Sequence, residues 1–593
     1  MIVRAVVTTL LVASACSSVA ASEKPFDGRP WNVSTGNLSV AFIRQSPIGA
    51  GAVPGYVMEP PPSVEAMAKM KAEGLIAYED YVAWGAVERK PDDWQWQQHI
   101  AVASAVKRAG LDYVVYVWAH FPPAWLRERA AGGGNELTLM KSLNTGKECN
   151  FFSIFDPKTI EHYDHFYKNL AARMGDKIDG VYACVLGPYG EGNYPLYVPD
   201  WVNVGPSHEG YWAGDRFALI AFRDAMKSKY GDDLKALNNA WGTTHATWDD
   251  VTPPKEIGEP FKPNPVPIDT KENRRRWLDF ITWYHQALID FAEKSVKVTL
   301  KYFPKEKVRT KPGGNAGGVN PIAWGTYCPG FAKMAGKYGI TMQPADCHGA
   351  YFGDKWVGTS YQFYGVPLAT EPASLLDEKA FTRRMFSDAS AGAAQHFTYE
   401  FDRHAANIRK YIHLYTGKPG DTEIAVLCPT TLYRLGGDLG STIRGGAKLR
   451  DLLEYDVLDE LLIADGALTT EKYTTLIVIQ PDFVEDAVLE KIDAWVKAGG
   501  RLILRGDESL KNIAGERRLS DAPVVRVSNL NALAPILAGN KGVDGKFDGL
   551  MTCRRGDQVF IFNSNDAPTT ATIDLAGASA DIVVQPHTIW SNR

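Results

Sequence analysis

The sequence predicts an α/β protein: a (β/α)8 TIM barrel, then a flavodoxin-like α/β domain and a small antiparallel β domain at the C-terminus. Three observations predict it. From about residue 36 to 415, short apolar runs alternate with amphipathic stretches of helical period, the pattern of βα units on a parallel sheet. Eight such runs fall in that length, which suits a closed barrel better than an open sheet. After Lys418-Pro419-Gly420 the alternation restarts, and over 540–593 it gives way to strand-period runs alone. A chain of 593 residues is also too long for one hydrophobic core, so several domains are expected.

The first 21 residues have the form of a signal peptide. Arg4 precedes an apolar run over 5–15 that is too short to anchor in a bilayer. Ala13-Ser14-Ala15-Cys16 resembles a lipobox, which would leave Cys16 as a lipid-bearing terminus, while Val19 and Ala21 offer ordinary cleavage before Ser22. Either way export is expected, to the periplasm, the cell surface as a lipoprotein, or the medium.

Predicted barrel strands are 38–43, 75–83, 113–119, 180–186, 308–311, 340–343, 366–370 and 394–399. Ala66, Met67, Met70 and Leu75 mark the helix after the first. Ile100, Ala103, Val106 and Ala109 mark the helix after the second. Leu278, Ile281, Leu288, Phe291 and Val298 place a long helix over 274–302. Between Pro195 and Arg274 lies an insertion rich in Trp, Gly and Pro, expected over the active face where it would shape a cleft. The flavodoxin-like domain, 420–530, is predicted from strands 423–428, 475–480 and 501–504 and helices 447–453 and 488–498. Ala498-Gly499-Gly500 serves as a helix stop. The last module, 540–593, is predicted from strands 559–563, 570–575 and 581–584.

The net charge of −5 and the lack of a basic run exclude an electrostatic nucleic-acid binder. Of the 16 tryptophans, 13 lie between Trp84 and Trp356, which suits stacking on sugar rings as well as ordinary core packing. The seven cysteines form no CxxC pair, so no structural zinc site and no metal are expected. Cys184 and Cys428 read as small buried hydrophobes, and a disulfide among the others is left open.

Two strand ends carry the chemistry. Val185-Leu186-Gly187-Pro188-Tyr189-Gly190-Glu191 delivers Glu191 from the fourth strand through a Gly/Pro turn. Val366-Pro367-Leu368-Ala369-Thr370-Glu371 delivers Glu371 from the seventh. Barrel enzymes gather catalytic groups at the C-terminal ends of strands. Glycosidic cleavage needs two carboxyl groups about one bond, one protonating the leaving oxygen, the other attacking carbon or activating water.

The residues around these positions resemble family 42 β-galactosidases. Trp84-Gly85-Ala86-Val87-Glu88 with Asp93-Trp94 is similar to their second-strand segment, and Phe121-Pro122-Pro123-Ala124-Trp125-Leu126 to their third-strand loop. Leu237-Asn238-Asn239-Ala240-Trp241-Gly242-Thr243 resembles their LN-x-x-WGT stretch, and 383–394, with Gly392 before the eighth strand, follows their pattern. The domain order resembles theirs too. The resemblance implies Glu191 as acid/base, Glu371 as nucleophile, retention of configuration, a β-galactoside-type substrate, and a homotrimer assembled through the flavodoxin-like domain. One departure matters: Gly190-Glu191 replaces their Asn-Glu. Gly187-Pro188-Tyr189-Gly190-Glu191, continuing to Tyr194-Pro195, is closer to the β-amylase (family 14) element, and Trp84–Glu88 is similar to β-amylase WWG-x-VE. An inverting, α-glucan-cutting hydrolase is therefore the alternative, and a glycan-binding protein without turnover is another.

Further candidates for substrate contact are His120, Tyr194, Trp324, Asp346, His348 and Tyr364, with Tyr351 nearby. Glu79, Asp80 and Glu88 fit substrate binding or rim support. Glu400 is the rival second carboxylate. No cofactor is expected. An amidotransferase reading of the flavodoxin-like domain fails because Ile479-Gln480-Pro481-Asp482 has no cysteine at the elbow.

Overall fold

The computed structural model describes residues 33–36, 63–120, 122–131, 137–187, 190–195, 211–254, 268–313, 321–344, 351–372, 376–399, 401–420, 422–450, 452–516, 519, 524–537, 549–575 and 578–592. The expected leader, strand 38–43, Asp346, His348 and Glu400 lie outside these residues.

Eight parallel strands form the first sheet: β1 (Val33–Gly36), β2 (Ala77–Ala83), β3 (Asp112–Trp118), β4 (Gly180–Ala183), β5 (Val308–Thr310), β6 (Thr341–Met342), β7 (Ala369–Thr370) and β8 (Gln395–Phe397). Their order is β6-β5-β4-β3-β2-β1-β8-β7, so sheet neighbours are chain neighbours. A parallel bridge from Met342 to Leu368, just ahead of β7, links the two edge strands. The first described strand is 33–36, and the predicted 38–43 lies outside the described residues. Ser34 pairs with Ala77 and Phe397, which fixes its register.

β3 shows why the strands were readable. Every residue after Asp112 is buried, as a strand covered on both faces requires, and the run reads as continuous apolar sequence. β2 is equally buried yet carries Glu79 and Asp80. Successive side chains point to opposite faces. Asp80 accepts from Tyr113 Oη at 2.5 Å and meets His99 of helix α2 (Gln97–Arg108) at 2.9 Å. Glu79 turns the other way, toward Tyr182.

The helices follow their caps. α1 (Val64–Ala72) starts at Ser63, which accepts from the Ala66 N–H. α3 (Pro157–Met174) starts at Asp156 with proline in its first turn. The insertion contributes α4 (Arg216–Lys229) and α5 (Leu234–Trp241), which pack on the long helix α6 (Lys271–Leu300). Phe222 meets Trp283 edge-on at 5.0 Å, and Trp241 donates to Asp279 at 2.8 Å. α7 (Cys328–Tyr338), α8 (Tyr351–Phe363), α9 (Glu378–Ala391) and α10 (Phe401–Tyr411) complete this region.

A second parallel sheet follows: β9 (Ile424–Cys428), β10 (Asp456–Asp459), β11 (Thr475–Val478), β12 (Arg501–Arg505) and β13 (Val524–Val527), in the order β10-β9-β11-β12-β13. β10 and β13 were not predicted. Its helices include α11 (Leu439–Arg450), which begins eight residues before the predicted 447, and α12 (Asp486–Lys497). Buried polar contacts tie it to the first region: Tyr327 donates to Asp459 at 2.5 Å, and Lys355 reaches Glu454 and Asp456, each at 3.4 Å. The C-terminal strands β14 (Leu550–Arg555), β15 (Gln558–Asn563), β16 (Thr569–Leu575), β17 (Ala578–Val584) and β18 (Ile589–Ser591) pair antiparallel, and β14 and β18 were not predicted. The described cysteines are all buried, with Cys428 on β9 and Cys184 just after β4.

Candidate active site

Four consecutive strands end in four polar residues that meet. Lys311 follows β5, Gln343 follows β6 and Glu371 follows β7 directly, while Glu191 stands on the turn after β4. That turn needs glycine. Gly187 and Gly190 have φ of 61° and 75°, and a Cβ on Gly187 would lie 1.6 Å from Asn193 Oδ1. The folded-back turn hydrogen-bonds Val185 N to Gly190 O and Leu186 N to Glu191 O. Gly192 N then donates to Lys311 O at 2.8 Å, which ties the Glu191 turn to the β5 end. Glu371 N donates to Pro344 O, joining the next two strand ends in the same way.

The side chains converge. Lys311 Nζ contacts Glu371 Oε2 and stands 3.6 Å from Glu191 Oε1, so one ammonium bridges both carboxylates. It also lies over the Tyr116 ring, 4.4 Å from its centroid. Glu371 accepts further hydrogen bonds from Tyr399 Oη and from Gln343 Nε2, the latter at 3.1 Å. Among the described residues Glu191 has no such set: burial raises its carboxyl above the ordinary range, and Lys311 only partly opposes this. Burial also lowers the Lys311 ammonium, while Glu191 and Glu79 pull it back up.

The other predicted residues separate. His120 is buried beside the acid turn: a Cβ on Gly190 would sit 3.2 Å from its ring, which stacks on Phe151 and contacts Cys184. Tyr194 does not face a cleft. It is fully buried, donates to Tyr284 O at 2.9 Å and stacks on the Tyr284 ring at 3.9 Å, so it packs the acid turn against α6. Trp324 is half-buried, and its carbonyl accepts from Tyr194 N. Tyr364 is on the wrong end of the sheet. It precedes β7, whereas Glu371 follows it, and its hydroxyl donates to Asp465 at 2.7 Å. Tyr351 is buried under the Arg450 guanidinium. Glu79, Asp80 and Glu88 support the sheet rather than face substrate. Glu88 accepts from the Trp84 indole at 2.6 Å and the Asp92 N–H at 2.9 Å. Glu88, Asp92 and His165 offer ligand atoms within 4.8 Å of one another, but these same contacts already lock the turn after β2. Trp84, Trp118, Trp212, Trp277 and Trp356 are core residues, which removes them as sugar platforms.

Sequence reasoning missed Lys311, Gln343 and Tyr399. A signal existed: each sits at the end of a predicted strand, where Glu191 and Glu371 were sought.

Comparison with known proteins gives two kinds of likeness. The sequence model of glycosyl hydrolase family 14 matches residues 52–339. A beta/alpha-amylase of Paenibacillus polymyxa is 30% identical over 234 residues, which is 37% of this chain and 19% of that protein, so only a fraction of the relative's length is matched. Among solved structures, the β-galactosidase from Bacillus circulans sp. alkalophilus superposes with a TM-score of 0.68 at 11% identity, over 96% of this chain and 99% of that one. A catalytic mutant of a family 42 β-galactosidase from G. stearothermophilus gives 0.67 at 13% identity, over 95% and 98%. At these identities the likeness is one of fold. The chain thus carries both resemblances found in its motifs, to family 14 in the sequence of its first half and to family 42 β-galactosidases in its fold.

Proposed function

We propose that the protein is a retaining glycoside hydrolase of the family 42 β-galactosidase type, with Glu371 as nucleophile and Glu191 as acid/base. The observation that carries this is the unequal surroundings of the two carboxyl groups. Glu371 accepts from three donors, Lys311, Tyr399 and Gln343, the surroundings a carboxylate nucleophile needs. Glu191 is buried with one cation at 3.6 Å, and burial favours its neutral, proton-donating form. Two carboxyls in such unequal surroundings divide into acid and nucleophile.

In the first step Glu371 attacks the anomeric carbon while Glu191 protonates the leaving oxygen. In the second, Glu191 takes a proton from water as the water displaces Glu371. One Lys311 ammonium reaching both carboxylates places them about a single glycosidic bond, and retention rests on their unequal surroundings. We read the eight-stranded sheet as a closed barrel, through the Met342–Leu368 bridge. We also propose export with a lipid on Cys16 and a homotrimer.

The family 14 likeness over 52–339 favours a second reading, an inverting hydrolase of α-glucan using the same acid. One experiment addresses both. Sugar release from aryl glycosides and polysaccharides is measured for wild type and Glu371→Ala, and the first-formed anomer is identified by NMR. Release by wild type alone with retained configuration supports the proposal. Inverted product from α-glucan replaces it with the second reading, and binding without release points to a glycan-binding protein.

A further inference from the structure

Directly beneath Glu371 lies a buried polar layer that touches no solvent. Arg309, Glu79, Tyr182 and Gln343 are each at most 1% exposed. Gln343 stands between this layer and the carboxylate, and a glutamine amide has two chemically opposite ends. Its Nε2 donates to Glu371 Oε2 at 3.1 Å. Its Oε1 accepts from Tyr182 Oη at 2.5 Å and faces Arg309 Nη1 at 3.4 Å. Arg309 is itself fixed, donating through Nη2 to Gln395 Oε1 at 2.9 Å. Tyr182 has one proton and two acceptors in reach, Gln343 at 2.5 Å and Glu79 at 3.0 Å. A flipped amide would set its carbonyl against the Glu371 carboxylate and its NH2 against the Arg309 guanidinium. Both ends would then meet a group of their own kind in a dry interior, where an unmade hydrogen bond is costly.

We propose that Gln343 is a positioning residue: its amide, held in one orientation by Arg309 and Tyr182, keeps Glu371 aimed and anionic. Gln343 is too buried to touch substrate, so it acts through Glu371, and the inference rests on reading Glu371 as the nucleophile. Among the described residues, the other groups facing Glu371 are Lys311 from the β5 end and Tyr399 after β8, with Glu191 across the Lys311 ammonium. Lys311 supplies charge, but its flexible ammonium sets no plane. The planar amide, clamped at its far end, fixes the direction of Oε2.

The test uses the full-length chain and the aryl glycoside that wild type cleaves. Gln343→Ala should lower kcat roughly ten- to hundredfold, the worth of one hydrogen bond to a charged group, with KM little changed. Removing a donor to the anion should move the acid limb of the kcat profile up by about one pH unit. Gln343→Glu, nearly isosteric, should move it further by setting a second carboxylate beside Glu371. It serves if the alanine variant does not fold. Tyr182→Phe should shift both readouts in the same direction by less.

A 13C titration of Glu371, assigned with Glu371→Gln, should show the same upward shift and needs no substrate. A folded Gln343→Ala with unchanged kcat, acid limb and Glu371 titration overturns the inference while leaving Glu371 as nucleophile intact. Turnover that survives Glu371→Gln overturns the nucleophile assignment, and this role for Gln343 falls with it.

Discussion

Replacing Lys311 with methionine keeps most of the volume and removes the ammonium that two buried carboxylates share. At an effective dielectric of about 20, unit charges about 4 Å apart attract by roughly 4 kcal/mol, and Lys311 stands closer than that to the Glu371 carboxylate. Much of that gain offsets the cost of burying the lysine, so the pair adds little net stability. Removing one partner is different, because the remaining charge stays buried without compensation, at a typical cost of about 3–5 kcal/mol. Lys311→Met should therefore lose several kcal/mol in urea denaturation at pH 7. The deficit should shrink as pH falls, since a protonated carboxyl needs no cation. In activity, both limbs of the bell should move to higher pH, because the ammonium favours the charged form of each carboxyl and opposes the upward push of burial on Glu191. A variant within about 1 kcal/mol of wild type at pH 7, with an unmoved bell, would refute the bridging role.

Glu191→Gln should cost about 10²–10⁴-fold in turnover of substrates with poor leaving groups and remove the upper limb of the pH profile, measured by initial rates. Gly187→Ala should unfold more easily and lose activity. It combines a φ of 61° with a Cβ driven into Asn193, and urea midpoints with initial rates would show both effects. Asp459, which accepts from Tyr327 where the two sheets' regions meet, is pushed up to about 6 by burial. A raised carboxyl stabilises the fold below its unfolded value near 4, and that contribution is lost as pH climbs through 6. Asp459→Asn should remove this loss and gain on the order of 1–3 kcal/mol at pH 8 relative to pH 4, read from urea midpoints at the two values. Sedimentation equilibrium should report a trimer, and a clean monomer would end the assembly proposal.

The legible part of the molecule is the part where one face or both faces of an element are uniformly apolar. β3 is buried throughout and reads as a strand at once. β10 is buried throughout as well, yet Asp456-Val457-Leu458-Asp459 hides it, because its acids are satisfied by partners distant in sequence. Asp456 faces Lys355 and the Tyr473 hydroxyl, and Asp459 caps the next helix while accepting from Tyr327. β14 was missed for the same reason, since Arg555 is buried against the carbonyls of Ala389 and Ala393. Charge in a local window looks like solvent exposure, and only tertiary contacts reveal otherwise.

The site follows the same rule in reverse. Glu191 and Glu371 stand out because a carboxylate after an apolar strand has no local reason to be there. Lys311 does not stand out on that criterion, because it follows Val308-Arg309-Thr310, a polar stretch in which a lysine reads as part of a solvated rim. Tyr194 shows the opposite failure: an aromatic next to the acid suggested a sugar contact, whereas its ring and hydroxyl are both spent on Tyr284. Tyr364 failed because a short strand separates two ends of a sheet, and proximity in sequence to Glu371 placed it at the wrong one. Position relative to the strand, before or after, carries more information about this site than residue type. It selects Lys311, Gln343 and Glu371, each directly after its strand, and rejects Tyr364, which comes before its own.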